Sequence, residues 1–409
     1  MANVSSSNGL EKRPKLRFPG FDEPWNDSKL SACFAKNIKK NTDGRISNVI
    51  CNSAKMGLIP QRDYFDKDIA NSDNTSGYYI IEHDDFVYNP RKSSDAPYGP
   101  ISRYTYPDAG IVSPLYLCFR AKENVDTNFF EWYFRSSAWH RYIYMTGDSG
   151  ARHDRVSIKD DDFFSMPIRF PSALEQKKIA AFLNTIEQRI TSQQLLVDSL
   201  KKYKRGLQNR FFFKRSHLSR TISGISSHEV KPLGSKVQIN PKTESLPEAF
   251  IYIDLECVEA GVLHSKKLIS RNSAPSRAQR LLKEGDLIYQ MVRPYQKNNY
   301  YFQKAFEYPT VASTGYAQIR CSEVDTQFIY EQLSSDYFAR EAMLRSTGTG
   351  YPAINADDLA EIPIWIPPLD QQEKVGATLS FIGAKIEVHQ KMLYALCRVK
   401  SSLLQQLFI

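Results

Sequence analysis

Two stretches of the chain carry the hydrophobic pattern of a long amphipathic helix. The first begins after Pro171 and the second after Pro367, and apolar residues then recur at alternating steps of three and four positions. This spacing indicates a coiled-coil seam, because it places apolar side chains along one face of a helix. We expect helix pairing or partner binding through Ile179, Leu183, Ile186, Ile190, Leu200 and Leu207, and through Val375, Leu379, Ile382, Ile386, Leu396 and Leu403. The pattern also includes Phe182, Val197, Tyr203 and Val399.

The two patterns are copies of one another at a constant offset of 196 positions. Pro171 matches Pro367, Gln176 matches Gln372, and the register continues to Phe212 and Phe408. Chance would not maintain one register over about fifty residues, so we interpret the chain as a duplication with units of about 200 residues. Intramolecular antiparallel pairing of the two helices is the simplest outcome; burial in a core and homodimerisation are the alternatives.

Both helix starts resemble a capping box, in which an N-cap side chain and a glutamate three residues later satisfy the first free N–H groups. Ser172 with Glu175 fits this motif in the first copy, and Asp370 with Glu373 fits it in the second. We therefore predict that Glu175 acts as a helix cap.

A more divergent segment of strand-like and helical runs precedes each helix, which predicts an α+β fold. Asp85-Phe86-Val87-Tyr88 aligns with Asp286-Leu287-Ile288-Tyr289, and Arg120 aligns with Arg320. The predicted domains are a disordered N-terminus (1–14), a first globular domain (15–169), a central helix (170–213), a linker (214–230), a second globular domain (231–365) and a C-terminal helix (366–409).

Composition narrows the class of partner. The formal net charge is +9 and the sequence pI is near 9.0, which favours a polyanion such as nucleic acid, although many proteins are mildly basic without one. The six cysteines form no C-x-x-C pair, so we expect reduced thiols rather than a zinc ribbon. We find neither a secretory signal nor an apolar run long enough to span a membrane, and expect a cytoplasmic protein.

Four motifs make the chain resemble the specificity subunits of type I restriction–modification systems. They are RFPGFDEPW at 17–25, the doubled Pro-x-x-x-Glu/Gln-Gln-x-Lys-Ile/Val helix start, GDLIY at 285–289 and TGTGYPAIN at 347–355. The doubled helix start is the specific motif, and the resemblance covers nearly the whole chain.

The resemblance implies two target-recognition domains of mixed α/β type, separated by two long antiparallel coiled-coil helices with pseudo-twofold symmetry. Each domain would bind one half of a bipartite double-stranded DNA target. The partners implied are two modification (methyltransferase) subunits and restriction/translocase subunits. S-adenosylmethionine, ATP and Mg are implied on those partners, and this chain would bind no cofactor or metal and catalyse nothing.

Candidate DNA-binding residues are those whose side chains suit base edges or phosphates. Arginine pairs with guanine, asparagine and glutamine pair with adenine, and cations position the backbone. In the first domain we predict Arg91, Lys92, Arg103, Tyr104, Arg152, His153 and Arg155; in the second, Arg277, Arg280, Arg293, Tyr295, Gln296, Lys297, Asn298 and Tyr351. The simpler interpretation of each is a solvated surface charge or a polar hairpin tip.

Two other function classes stay open from the sequence. A self-contained nuclease or methyltransferase is disfavoured, because the chain has no Walker A motif, no N-P-P-Y or D-P-P-Y tetrad and no H-E-x-x-H spacing. A coiled-coil DNA-binding regulator or scaffold without a modification partner shares the helix pattern and the basic charge.

Overall fold

The computed structural model describes residues 13–64, 75–148, 154–212, 229–243 and 245–409. They fall into two compact units, Met1–Ser192 with Leu393–Ile409, and Gln193–Met392. Most of the predicted N-terminal segment (1–14) and linker (214–230) lies outside the described residues, so the predicted domain boundaries stay predictions.

The first unit combines short strands with helices. Its strands are β1 (Asn26–Lys29), β2 (Phe34–Lys36), β3 (Ile50–Ser53), β4 (Gly57–Pro60), β5 (Tyr79–Ile81), β6 (Phe86–Tyr88), β7 (Ile101–Arg103), β8 (Gly110–Val112), β9 (Leu117–Ala121) and β10 (Pro167–Phe170). Its helices are α1 (Leu30–Cys33), α2 (Gln61–Tyr64), α3 (Thr127–Arg135), α4 (His140–Thr146), α5 (Asp160–Phe164) and the start of α6 (Ala173–Phe212).

The second unit begins within α6 and has the following strands. They are β11 (Glu229–Pro232), β12 (Val237–Ile239), β13 (Ala249–Ile253), β14 (Val258–Glu259), β15 (Val262–Leu263), β16 (Lys267–Ser270), β17 (Ala278–Leu282), β18 (Leu287–Gln290), β19 (Tyr300–Tyr301), β20 (Thr310–Ser313), β21 (Tyr316–Cys321) and β22 (Pro363–Ile366). Its helices are α7 (Thr326–Leu333), α8 (Asp336–Leu344), α9 (Ala356–Ala360) and most of α10 (Leu369–Leu407).

The same sheet order occurs in both units. The antiparallel sheet β2-β9-β6-β7 of the first unit corresponds to β12-β21-β18-β19 of the second, and the ribbon β1-β10 corresponds to β11-β22. A second sheet, β16-β13-β20-β17, has smaller counterparts in β3-β4 and β5-β8. The predicted mixed α+β class is therefore confirmed.

Aromatic side chains fill the core of the first unit. Phe34, Phe86 and Phe119 pack against Phe130 and Phe134, with ring centroids 5.0–6.2 Å apart. Each buried ring contributes roughly 1.5–3 kcal/mol of hydrophobic stabilisation, so these strands and α3 hold each other in place.

Within each unit the two long helices contact each other. In the first unit, Lys400 Nζ donates to Glu187 Oε2 at 2.8 Å. In the second, Gln193 Nε2 donates to the His389 carbonyl at 2.9 Å, while Lys204 Nζ lies beside Gly383. In the second unit, the contact position therefore rises along α6 as it falls along α10.

The predicted seam residues are buried or half-buried. Ile179, Leu183, Leu379, Ile382 and Ile386 are buried, and the other seven are half-buried. Phe182, Tyr203 and Val399 instead are exposed, because they lie on the outer faces of the helices. Spacing alone did not separate these faces, since successive steps of three and four drift around a straight helix.

The predicted capping role of Glu175 is wrong. Its buried carboxylate accepts hydrogen bonds from Arg17 Nε at 2.8 Å and Nη2 at 2.7 Å. A glutamine supports each helix start instead: the Gln176 amide donates to the Pro171 carbonyl, and the Gln372 amide to the Pro367 carbonyl, both at 2.8 Å.

We predict that Gly376→Ala destabilises the protein. An added Cβ would lie 2.8 Å from Asp325 Oδ1 and 2.9 Å from the Phe328 backbone nitrogen, at the start of α7, and backbone cannot move aside cheaply. Overpacking of this kind costs about 1–3 kcal/mol. Denaturant unfolding followed by circular dichroism measures the loss.

Gly206→Ala is the matched control on α6. Nothing lies within 4 Å of its added Cβ, so the higher helix propensity of alanine should stabilise by about 0.5–1 kcal/mol. Equal effects of the two substitutions would contradict the close approach at Gly376.

Candidate nucleic-acid interface

A buried ion pair fixes the frame from which the first unit's candidate loop extends. Asp85, just before β6, is fully buried and accepts hydrogen bonds from Arg120 Nε at 2.6 Å and Nη2 at 2.7 Å. The Glu82 backbone N–H and the Asn37 amide also donate to Asp85. The hydrogen bond with Asp85 raises the pKa of Arg120.

The second unit repeats this arrangement. Arg320 donates to Asp286 from Nε and Nη2, both at 2.7 Å, and the Lys283 N–H and the Gln318 amide complete the shell of the carboxylate. Removal of the arginine would leave a buried carboxylate uncompensated. In both units the pair therefore positions the strand that leads into the candidate loop.

The hairpin β3–β4 lies beside the first of these loops. Ser53 pairs with Gly57, which leaves Ala54, Lys55 and Met56 as a three-residue tip. Gly57 has a φ of +69°, the left-handed conformation that glycine adopts without strain at the end of such a tip. The Ser53 hydroxyl accepts from the N–H groups of Lys55 and Met56, so the tip has a defined shape.

One buried side chain, Asn52, ties the hairpin to the loop. Its amide donates to the carbonyls of Val87 at 2.8 Å and Pro100 at 3.3 Å, and its oxygen accepts from Ser102 Oγ at 2.7 Å. The Asn89 side chain donates to the Asn52 carbonyl at 3.1 Å. The hairpin and the 89–91 loop are therefore held as one surface.

Between them lies a cleft of about 670 Å³, the basic cleft, which carries excess positive charge. Lys55, Arg91, Lys92 and Arg155 line it, and Asp95 is the one carboxylate among its described lining residues. The buried Nε of Arg155 has no hydrogen-bond partner in the described part of the chain. This arrangement suits a polyanion that supplies acceptors.

The structure brings together three of the first domain's predicted residues and separates two others from them. Arg91 and Arg155 form an isolated β-bridge, and the Lys92 N–H donates to the Asp154 carbonyl nearby. Arg103, by contrast, binds Glu131 and Asp84 through its guanidinium. Tyr104 is fully buried, with its hydroxyl on the Asp108 carbonyl.

We therefore correct Arg103 and Tyr104 from contact residues to structural ones. An arginine held by two carboxylates is already neutralised, and a ring in the core offers no surface to DNA. The predicted residues Arg152 and His153 lie outside the described residues.

In the second unit, the predicted residues collect on the 293–299 loop and the 347–353 loop. The guanidinium of Arg293 stacks 4.3 Å from the centroid of the Tyr351 ring, and the Arg293 N–H donates to the Pro352 carbonyl at 2.7 Å. Tyr295 and Tyr351 are both exposed. Arg293 and these two rings form an open cationic and aromatic surface.

The remaining loop residues have partners inside the protein. Lys297 pairs with Asp336, which also binds Arg205. Burial would raise the pKa of Asp336, but the hydrogen bonds from both cations outweigh burial and lower that pKa. Gln296 accepts from the Gln290 amide at 2.8 Å, a contact that shapes the loop.

The other three predictions in this unit have different environments. The Asn298 side chain accepts from the Ala260 N–H at 3.0 Å, which joins the loop to the β14–β15 turn. Arg277 is exposed. Arg280 is half-buried in β17, where burial lowers the pKa of its guanidinium and leaves its Nε without a hydrogen-bond partner among the described residues.

Sequence reasoning missed the hairpin and several other residues that line the basic cleft. Asn52, Lys55, Met56, Leu115 and Tyr116 all line it. The available signal was a glycine, Gly57, between two short apolar runs, which is typical of a hairpin. It was hard to recognise because the runs contain only four residues each.

Part of the chain is similar to known DNA specificity subunits. Residues 266–396 match the family model described as the type I restriction modification DNA specificity domain. The predicted family resemblance is confirmed. The chain is also 25% identical over 246 residues to the type I restriction enzyme MjaVIII specificity subunit of Methanocaldococcus jannaschii. That stretch is 56% of this chain and spans 58% of the relative's length.

The chain shares its fold with two solved structures. The type I restriction–modification S subunit from M. genitalium aligns with a TM-score of 0.61 and 16% identity, over 97% of this chain and 99% of that one. A structure described as the basis of complex assembly and conformational transition of the type I R-M system aligns with a TM-score of 0.54 and 15% identity, over 96% and 99%.

Two features are absent from the described residues: a membrane-spanning helix and a metal-binding cluster. No helix among them has the length and apolarity needed to cross a membrane. No group of three or more His, Cys, Asp and Glu residues among them could hold a metal ion.

We predict that Asn52→Ala destabilises the first unit by about 1–3 kcal/mol. The substitution removes the donor from two buried carbonyls and the acceptor from Ser102, and buried polar groups without partners carry that cost. Denaturant unfolding measures it. Asn48→Ala is the control, because Asn48 is exposed, and it should change stability by less than about 0.5 kcal/mol. A similar loss of stability in both variants would contradict the role of Asn52 in joining the hairpin to the loop.

Proposed function

We propose that the chain is the DNA specificity subunit of a type I restriction–modification complex. The observation that carries the proposal is the basic cleft: four cations face one carboxylate on a surface built from a rigid hairpin and loop. Such a surface fits the phosphates and base edges of duplex DNA. The family match and the shared fold support the same function.

The proposed mechanism uses two readers and one frame. Each globular unit is a target-recognition domain for one half of a bipartite site, and the duplicated sequence supplies both. The long helices α6 and α10 form an antiparallel coiled coil with pseudo-twofold symmetry, which sets the spacing of the half-sites. Gln193 and His389, which are equivalent positions in the repeat, contact each other, as expected at the midpoint of such a pair.

The outer faces of these helices are the proposed platform for two modification subunits. Several large apolar side chains on them are exposed, among them Leu195, Tyr203, Phe381, Val388 and Tyr394. Large exposed apolar patches mark surfaces that bind other proteins, and these side chains are the candidates for such a patch. The restriction/translocase subunits would join the complex through these partners.

In this proposal the chain recognises DNA and catalyses nothing. S-adenosylmethionine, ATP and Mg belong to the partner subunits, and the complex works in the cytoplasm. A regulator or scaffold without a modification partner is the competing function, and methylation distinguishes the two.

We predict that co-expression of the chain with its modification subunit methylates host DNA at a bipartite motif with a fixed gap. Methylation sequencing measures it, and neither protein alone should give the motif. Replacement of residues 15–160 by the corresponding segment of another specificity subunit should change one half of the motif and preserve the other. A soluble complex that produces no new methylation would favour the regulator or scaffold.

We predict that Arg91→Ala weakens DNA binding about equally on all sequences. Arg91 is exposed at the rim of the basic cleft, 3.8 Å from Asp154, where it can reach a phosphate. Loss of one phosphate contact should reduce the slope of log K against log salt by about 0.9. Titration of duplex DNA at several salt concentrations measures the slope.

Arg45→Ala is the control for this experiment. Arg45 is also exposed and lies 3.1 Å from Asp43, but it does not line the basic cleft. An equal reduction of the slope by both variants would show a general effect of net charge rather than a contact at Arg91.

A further inference from the structure

Two exposed apolar side chains line the basic cleft. Met56, at the hairpin tip, is 61% exposed, and Leu115, in the turn before β9, is 60% exposed. Both line the same cleft as Lys55, Arg91 and Arg155. Two apolar side chains beside three cations in one cleft suit a ligand that offers apolar surface beside its negative charge.

Duplex DNA offers that combination in its major groove. The groove is about 12 Å wide and admits a two-stranded β-ribbon, and the thymine methyl group is the apolar feature of the base edges there. We propose that the β3–β4 hairpin enters the major groove and that Met56 and Leu115 contact thymine methyl groups in the half-site of the first unit. This inference rests on the proposed function and identifies specificity-determining residues for it.

The hairpin is already shaped for such a contact. The hydrogen bonds of Ser53 fix its tip, Gly57 supplies the left-handed residue, and Asn52 anchors its base. A preformed element loses little conformational entropy on binding, so the contact energy is retained as discrimination.

The two units differ at this hairpin. In the second unit, β13 and β16 pair like β3 and β4, and β13 runs parallel to β20 as Val49 bridges Ile111 in parallel. The three-residue tip is replaced there by residues 254–266, which include the small hairpin β14–β15. One frame thus carries two different tips, as expected if each tip reads a different half-site.

Deoxyuridine tests the contact directly, because it differs from thymidine only by that methyl group. Once the bipartite motif is known, the assembled wild-type complex is titrated with duplexes that carry deoxyuridine at each thymidine of the first half-site in turn. At one position or more, binding should weaken about fourfold, which corresponds to ~0.8 kcal/mol for one buried methyl group. Deoxyuridine in the spacer should have no effect.

The variants assign the effect to residues. Complexes with Met56→Ala or Leu115→Ala should bind the thymidine and deoxyuridine duplexes equally at the position that each residue contacts. Ile38→Ala is the matched control, since Ile38 is 68% exposed in the same unit but does not line the basic cleft. That control complex should keep the fourfold ratio.

Each outcome decides the inference. Equal binding of all duplexes by the wild type, a ratio that both cleft variants retain, or a first half-site without A·T pairs would overturn it and leave the proposed function intact. Cleft variants that no longer assemble, together with a wild type that binds all duplexes equally, would overturn it in favour of protein docking. Absence of any bipartite methylation by the wild type would instead refute the proposed function.

Discussion

Neither globular core is complete without the end of a long helix that begins far away in the chain. Phe212, at the end of α6, joins the core of the second unit and packs 5.5 Å from Phe328. Phe408, just past α10, joins the core of the first unit, 5.5 Å from Phe129 and 6.5 Å from Trp25. The starts of the helices are buried reciprocally, with Leu183 in the first core and Leu379 in the second.

This constraint explains why the two long helices resemble each other more than the two globular domains do. The apolar residues of α6 and α10 pack against a globular core or against the other long helix. Few substitutions preserve both kinds of packing along one helix. The contact between Trp25 and Phe408 also closes nearly the whole chain, and long-range contacts of this kind slow folding. The loops and hairpin tips do not pack against both a core and a long helix, and the two units differ there.

Much of the frame was predictable, and the reason is periodicity. The seam spacing predicted both long helices, and the repeat aligned Asp85 with Asp286 and Arg120 with Arg320, whose ion pairs are then geometrically equivalent. Exposure of Phe182 and Tyr203 was not predictable, because the pattern fixes the spacing of side chains and not which face is covered. Glu175 was misassigned since its partner, Arg17, lies far away in sequence.

The interface was harder to predict because residue type does not reveal which charges are already used. Arg91 and Arg103 lie in similar sequence contexts, yet one is at the open rim of the basic cleft and the other is held by Asp84 and Glu131. Lys297 shares a loop with Arg293 but is bound by Asp336.

The equivalent lysines Lys204 and Lys400 make the same point within the helices. Lys400 pairs with Glu187. The repeat places Gly383 where Glu187 would be, and Lys204 therefore pairs with Glu331. A single change from glutamate to glycine thus redirects a cation from one helix to a domain. The surface proposed for DNA is therefore what remains after internal pairing, and only the folded structure shows which charges remain.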